Sequence, residues 1–278
     1  MTNTKQTQDD KTIQPFNRST IQRVKAYAFT LAETLIVIGI IGVVAALTLP
    51  NLNHATGDKE KVTKVKKIYS ALTDAVDRAQ AVYGDCDTWF TDLGDDEVQN
   101  ASERAAKRIT EFMKVSKVCG IDKGCFTEAP RHSFDGNQDI NNYLGFLQEN
   151  NAYMVTLVDG MSLAFFISNY QERSESIIVI KADIDGPNKG KNDTASEIFD
   201  FMIYLGEPGL HKYITNQLVT DYYYPDGHCG SKPCDYSFAR WVIENGNLDY
   251  LKADYDGDEW TCRDTGKVLD GVTNTSCN

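Results

Sequence analysis

Positive charge is scarce in this chain of 278 residues, since 28 Lys and Arg stand against 40 Asp and Glu, giving a net charge of −12. Non-specific binding of nucleic acids depends on Lys and Arg contacts to phosphates, so we expect no nucleic acid partner. Histidine is also rare: the four residues are scattered and nominate no catalytic base. The Gly-x-Ser-x-Gly, His-Glu-x-x-His and phosphate-loop motifs are missing. We therefore expect no enzymatic activity.

One long apolar run interrupts an otherwise polar sequence, at residues 29–49. Its length matches the roughly 20 residues that a helix needs to cross a bilayer. Residues 1–28 are polar and end in the basic pair Arg23 and Lys25. Such flanking charge keeps the N-terminus in the cytoplasm and places the rest of the chain outside. The small residue Ala28 precedes the run instead of following it, so cleavage there keeps the helix as an anchor.

Glu33 is the single ionisable residue inside this run. A carboxylate in the bilayer costs on the order of 2–4 kcal/mol or more, so its presence needs a reason. One interpretation is that Glu33 lies close enough to the interface to reach water. The other is that Glu33 pairs with a positive charge inside the membrane, which gives it a function.

The start of the run resembles the class III signal of type IV prepilins, with the residues Ala-Phe-Thr-Leu-Ala-Glu at positions 28–33. The resemblance implies that prepilin peptidase cuts between Ala28 and Phe29 and methylates the new amino group of Phe29. It also implies that Glu33 neutralises the N-terminal amine of a neighbouring subunit during assembly. The family usually has Gly at the position of Ala28.

The resemblance implies a structural minor pilin or pseudopilin in the bacterial inner membrane, later part of a pilus, a type II secretion pseudopilus or the cell surface. Its partners are other pilin or pseudopilin subunits, prepilin peptidase and the inner-membrane assembly platform. The chain then divides into a leader (1–28), a long N-terminal helix (29–83, with 29–49 transmembrane) and an extracytoplasmic globular body (84–278). The alternative is a membrane-tethered binding protein, adhesin or enzyme that uses a pilin-like anchor.

Apolar residues recur at helical spacing beyond Pro50, which indicates an amphipathic continuation of the helix. A coiled-coil seam is one interpretation, but three heptads without strong core residues are marginal. Packing on a sheet of the same chain is the better one. The stripe consists of Val62, Val65, Tyr69, Leu72, Val76, Ala79 and Tyr83.

The sequence of the body predicts a helix at 101–118, followed by an antiparallel β-meander. Two strand-like runs, 152–158 and 161–167, flank Asp159-Gly160, a strong hairpin signal. Two further strands are expected at 176–182 and 198–205. A late helix at 236–244 is expected to stop at Asn245-Gly246. The predicted fold is therefore α+β, with the long helix packed on the meander in the pilin manner.

An acidic loop follows the third strand of that meander. It offers oxygen ligands from Asp183, Asp185, Asn188 and Asp193, with Asn192 between them, around two glycines. Ca²⁺ takes six to eight such oxygens, so calcium is one interpretation. The other is a polar turn, in which Asp, Asn, Gly and Pro serve backbone geometry. No other cofactor is expected.

Seven cysteines fit an exported body, where disulfides form. Local pairing suggests Cys119–Cys125, Cys229–Cys234 and Cys262–Cys277, and the last resembles the C-terminal disulfide loop of many pilins. An odd number leaves one residue, Cys86 or another, free or paired between chains. A zinc site built from His228, Cys229 and Cys234 is the rival interpretation, but its spacing is marginal.

Overall fold

The computed structural model describes residues 31–94, 96–132, 140–168, 176–187, 189, 193–205, 218–219, 238–256 and 259–278. For residues 45–56 and 219 it describes the backbone alone. The chain divides into two compact units, residues 1–51 and residues 52–278. The second unit holds the second half of the long helix together with the sheets.

Helices and strands follow one another in an α+β arrangement, as predicted. The helices are α1 (Leu31–Tyr83), α2 (Val98–Thr110), α3 (Tyr143–Glu149) and α4 (Phe238–Asn245), with short 3₁₀ helices at Cys86–Phe90 and Asp249–Lys252. The strands are β1 (Val115–Gly120), β2 (Tyr153–Leu157), β3 (Ser162–Ser168), β4 (Ile177–Asp183), β5 (Ile198–Tyr204), β6 (Leu218–Val219), β7 (Ala253–Tyr255), β8 (Trp260–Cys262) and β9 (Val268–Leu269).

The main sheet is an antiparallel meander in the order β1-β2-β3-β4-β5-β6. The four predicted strands are its β2 to β5, and the Asp159-Gly160 turn joins β2 to β3. Every residue of β4 and β5 is buried. Burial on both faces explains why these two strands read as almost continuous apolar runs instead of alternating ones.

The two faces of the sheet belong to two cores, because successive side chains of a strand point to opposite faces. From β5, Phe199 and Phe201 join the core that contains α1 and α2. Ile198 and Met202 join the second core, which α3 and the segment around Cys125 cover.

The amphipathic stripe of α1 packs on the first face, as predicted. Val65, Leu72 and Val76 are buried there, and the Tyr69 ring stacks on Phe201 with centroids 6.2 Å apart. Ala79 is buried as well, while Val62 and Tyr83 pack against the core from its edge. Burying this stripe against the chain's own sheet leaves no seam for a coiled coil.

The helix predicted at 101–118 was wrong in its second half. The α2 helix ends at Thr110, and Val115–Gly120 forms strand β1, paired antiparallel with β2. Val115 pairs with Leu157 and Val118 with Val155. β-branched residues fit a pleated strand better than a helix, and here the free edge of β2 supplies the partner.

A second, three-stranded sheet (β7-β8-β9) was not predicted. Its strands have two or three residues each, too short to show a period. Upstream, α4 ends as expected at Gly246, whose φ of +68° lies in the left-handed region and whose N–H donates to the Val242 carbonyl at 3.0 Å. Glycine adopts this conformation without strain, so it terminates the helix.

Candidate functional site

The first candidate surface is the apolar beginning of α1, residues 31–44. Its large apolar side chains are all exposed, from 53% to 80%: Leu31, Leu35, Ile36, Val37, Ile38, Ile40, Ile41, Val43 and Val44. Glu33 lies in the first turn of the described helix. Ala28 and Phe29 lie outside the described residues. Among the described residues, no helix is both long enough and apolar enough to cross a membrane.

The second candidate is the turn that follows β4. Asp183 ends the strand and is only 1% exposed. Its Oδ1 accepts hydrogen bonds from the backbone N–H of Gly186 at 2.8 Å and of Asp185 at 3.2 Å. Its Oδ2 and the Oδ1 of Asp185 are both buried and have no hydrogen-bond partner among the described residues. The turn therefore buries two carboxylates side by side.

Gly186 shapes this turn for a steric reason. Its φ is +89°, and a Cβ placed on it would lie 2.4 Å from the backbone oxygen of Gly160 in the β2–β3 turn. Real Cβ atoms do not approach backbone that closely, so only glycine fits. The turn after β4 therefore packs directly against the backbone of the β2–β3 turn.

Burial, and after it the neighbouring carboxyl group of Asp185, raises the pKa of Asp183 to about 8. The N–H of Gly186 opposes this shift by stabilising the ionised form. A low-dielectric site disfavours two adjacent negative charges, so the pair needs a proton or a cation between its oxygens. Protonation of Asp183 meets this need without any bound ion.

The structure does not bring the full predicted calcium set together. Asp193 sits at the turn into β5, where its backbone pairs with His132. Asn188 and Asn192 lie outside the described residues. Among the residues that are described, no group of three or more His, Cys, Asp or Glu side chains could hold a metal ion. Calcium at Asp183, Asp185, Asn188 and Asp193 therefore stays a prediction.

Two of the three expected disulfides are formed, Cys119–Cys125 and Cys262–Cys277. The first ties the end of β1 to the segment that covers the second core, and the second ties β8 to the C-terminus. Cys229 and Cys234, with the zinc alternative at His228, lie outside the described residues. Cys86 is a buried free thiol whose pKa is raised, chiefly by burial and then by the charge of Asp87.

Sequence reasoning missed a polar group buried on the second face of the sheet. The Lys181 Nζ donates to the Asp200 Oδ2 at 2.6 Å across the β4–β5 pair. Nearby, Arg131 donates to the Thr194 hydroxyl at 2.8 Å. Burial lowers the pKa of Lys181, although the charge of Asp200 opposes the shift. The available signal was a charged residue inside each of two apolar runs, Ile-Ile-Val-Ile-Lys and Ile-Phe-Asp-Phe.

No family model, curated protein or solved structure matches the chain.

Proposed function

We propose that this chain is a structural minor pilin or pseudopilin. Prepilin peptidase removes residues 1–28 and methylates Phe29, and the N-terminal helix then anchors the subunit in the bacterial inner membrane with its body outside the cytoplasm. The helix is then extracted from the membrane and stacks on the helices of neighbouring subunits, which places the subunit in a type IV pilus or a type II secretion pseudopilus. In this proposal the subunit acts by assembling with other subunits and catalyses no reaction.

One observation carries this proposal: a single helix, Leu31–Tyr83, changes its environment along its length. Its second half is built into the core through Val65, Leu72 and Val76. Its beginning, at residues 31–44, exposes nearly every large apolar side chain to the surroundings. Apolar surface of this extent marks a membrane or protein contact, and a lipid bilayer followed by neighbouring helices supplies both in turn.

Glu33 supports the same proposal by its position within that apolar surface. It is the only ionisable residue of the run and lies four residues after Phe29. Methylated Phe29 would carry a positive amine at the cut end of the helix. A carboxylate on one subunit and an amine on its neighbour neutralise each other in an apolar fibre core, where an isolated charge is costly. The pairing would therefore set the helix-to-helix register.

Mass spectrometry of the chain made in a host with prepilin peptidase tests the processing step. We expect a mature chain that begins at methylated Phe29. An intact Met1, or a start after Leu49, would falsify the family assignment.

Assembly is tested by Glu33 variants in a cell that makes the fibre. Glu33→Val and Glu33→Gln should both reach the membrane but enter sheared fibres poorly, because both remove the charge. Glu33→Asp is the matched control, since it keeps the carboxylate and should assemble at least in part. Normal incorporation of Glu33→Val would show that Glu33 is merely tolerated and would remove the amine–carboxylate pairing from the proposal.

A further inference from the structure

A cavity of about 370 Å³ lies between the end of α1 and the outer face of α2. Its volume is at the lower end of the range of small-molecule sites. It is far along the chain from the apolar surface at residues 31–44, and the assembly proposed above makes no use of it. Its wall is formed by Tyr83, Asn100, Glu103, Arg104, Lys107, Arg108 and Glu111.

Most charges of this wall are already bound to a neighbour. Lys107 forms an ion pair with Glu103 on the same helix. Arg104 forms a two-pronged ion pair with Asp92. The Tyr83 hydroxyl donates to a carboxylate oxygen of Glu111. Because these side chains already bind one another, few of them are available to bind a charged ligand.

Arg108 is the exception. Its guanidinium lies over two aromatic rings, with its central carbon 4.8 Å from the centroid of Tyr83 and 5.4 Å from that of Trp89. No hydrogen bond or ion pair joins it to any residue that the structure describes. The two ring contacts place the guanidinium at the cavity wall, where its N–H donors have no acceptor among the described residues.

We infer that this cavity binds a carboxylate group, held by the guanidinium of Arg108. A fixed, planar guanidinium presents two parallel N–H donors that match the two oxygens of a carboxylate. Because Arg104 is paired with Asp92 and Lys107 with Glu103, Arg108 is the cation of this wall that no carboxylate of the described residues pairs. One negative charge neutralises Arg108, whereas a dianionic phosphate would exceed that charge and lie close to Glu103 and Glu111.

The carboxylate has two possible sources, a free small carboxylic acid or a glutamate or aspartate side chain of another polypeptide. Both offer the same group to Arg108. The two sources differ in whether flanking peptide is tolerated at the mouth of the cavity. The experiment therefore needs one probe of each kind.

Calorimetric titration of the full chain in an uncharged detergent tests the inference. The small probe is N-acetyl-glutamate amide, and its neutral isostere N-acetyl-glutamine amide is the matched control. A Gly/Ser peptide with one glutamate represents the polypeptide source. We expect saturable binding of the acid and none of the amide. Binding of the small acid alone assigns the cavity to a metabolite, and equal or tighter binding of the peptide assigns it to a protein partner.

Variants locate the binding at Arg108. Arg108→Gln should abolish it, and Arg108→Lys, which keeps the charge but loses the two-pronged geometry, should weaken it by about tenfold. Arg78→Gln is the matched control, because Arg78 also lies over an aromatic ring, that of Phe112, at 4.9 Å but outside the cavity. Equal affinity in Arg108→Gln and in the parent chain overturns the inference, as does equal binding of the neutral amide or no binding of either acid.

Glu111→Gln keeps the inference testable even where Arg108→Gln does not fold. It leaves Arg108 and both rings in place and removes one negative charge from the wall, so carboxylate binding should become severalfold tighter, by the Coulomb term between near-surface charges. Circular dichroism of each variant establishes that the fold is kept. Unchanged affinity in Glu111→Gln would mean that the acid binds elsewhere and would overturn the inference.

Discussion

Asp249 fixes the C-terminal tail by accepting hydrogen bonds on both of its oxygens. Its Oδ2 accepts from the Ser276 hydroxyl at 2.6 Å and from the Cys277 N–H at 2.9 Å, and its Oδ1 accepts from the Lys252 Nζ at 2.6 Å. Burial opposes ionisation of Asp249, but the hydrogen bonds from Lys252, Ser276 and Cys277 outweigh it and hold the pKa below its usual value. Ionised Asp249 is thus part of the folded tail.

We expect Asp249→Ala to lower the free energy of unfolding by about 1–3 kcal/mol, because it leaves buried donors without an acceptor. A carboxyl whose pKa is lowered by folding stabilises the protein above its unfolded pKa of about 4, and this stabilisation is lost as the pH falls through the folded value. Urea unfolding at pH 7 and pH 3 measures both effects. Asp249→Asn should lose stability at pH 7 and less at pH 3; an equal loss at both would contradict the charge argument.

Asp183 shows the opposite linkage, because its pKa is raised to about 8. The folded state holds a proton that the unfolded chain releases near pH 4, so this group stabilises most at acidic pH and its contribution falls as the pH rises to 8. We expect Asp183→Asn, an uncharged mimic of the protonated form, to reduce the loss of stability between pH 5 and pH 8. Thermal unfolding of variant and parent over this range measures it, and parallel curves would contradict it.

Calcium is the other species that the Asp183–Asp185 pair could hold. An ion bound only to the folded state raises stability by about 2.7 kcal/mol at a hundredfold excess over its Kd. The full chain at pH 8 should therefore melt higher in millimolar calcium than in chelator, and Asp185→Ala should remove the difference. Asp254→Ala, which changes an exposed residue of β7, is the control. Identical curves in calcium and chelator would leave the loop a polar turn.

At the scale of elements, the sequence predicted correctly those helices and strands whose pattern is contained in a short, continuous segment. The helical stripe from Val62 to Tyr83 and the hairpin around Asp159-Gly160 are local signals, and both are present in the fold. Strand β1 was missed because its partner β2 is about 40 residues away and because its segment also fits the end of a helix. The Asp183–Asp185 pair was found as a cluster of carboxylates, but its burial depends on the distant turn at Gly160.

The β4–β5 pair carries a buried ion pair, and its removal should reveal which contacts fix this part of the sheet. Lys181 and Asp200 are cross-strand neighbours with side chains only 6% and 4% exposed. Asp200→Ala leaves the Lys181 charge buried without its partner carboxylate and should cost about 3–5 kcal/mol. The double variant Lys181→Met with Asp200→Leu should recover most of that loss, because it removes both charges at similar volume.

Chemical denaturation of the two single variants and the double variant measures the coupling between the side chains. A double variant as unstable as Asp200→Ala would mean that the pair contributes more than mutual neutralisation, for example by fixing the β4–β5 register. Lys67→Met is the surface control, since its ion pair with Asp159 is exposed and should contribute about 0–1 kcal/mol.

At the scale of the whole molecule, the disulfides link chain segments within the two cores, since Cys262 and Cys277 lie in the first core and Cys125 lies in the second. Cys119–Cys125 closes a short segment between an edge strand and the cover of the second core. Cys262–Cys277 joins the small sheet to the last residues of the chain, beside the Asp249 hydrogen bonds. Each crosslink restricts the unfolded chain, so both should add to the stability of the folded state.

The oxidation state of all seven cysteines is the last prediction. A chain exported under oxidising conditions should contain three disulfides, with Cys229–Cys234 as the third, and one free thiol at Cys86. Because Cys86 is fully buried and its pKa is raised by burial, native protein should resist thiol labelling, and denatured protein should take up one label. Cys86→Ala should then take up none. One label on that variant would place the free thiol elsewhere, and six or seven labels on the parent chain would contradict an exported body.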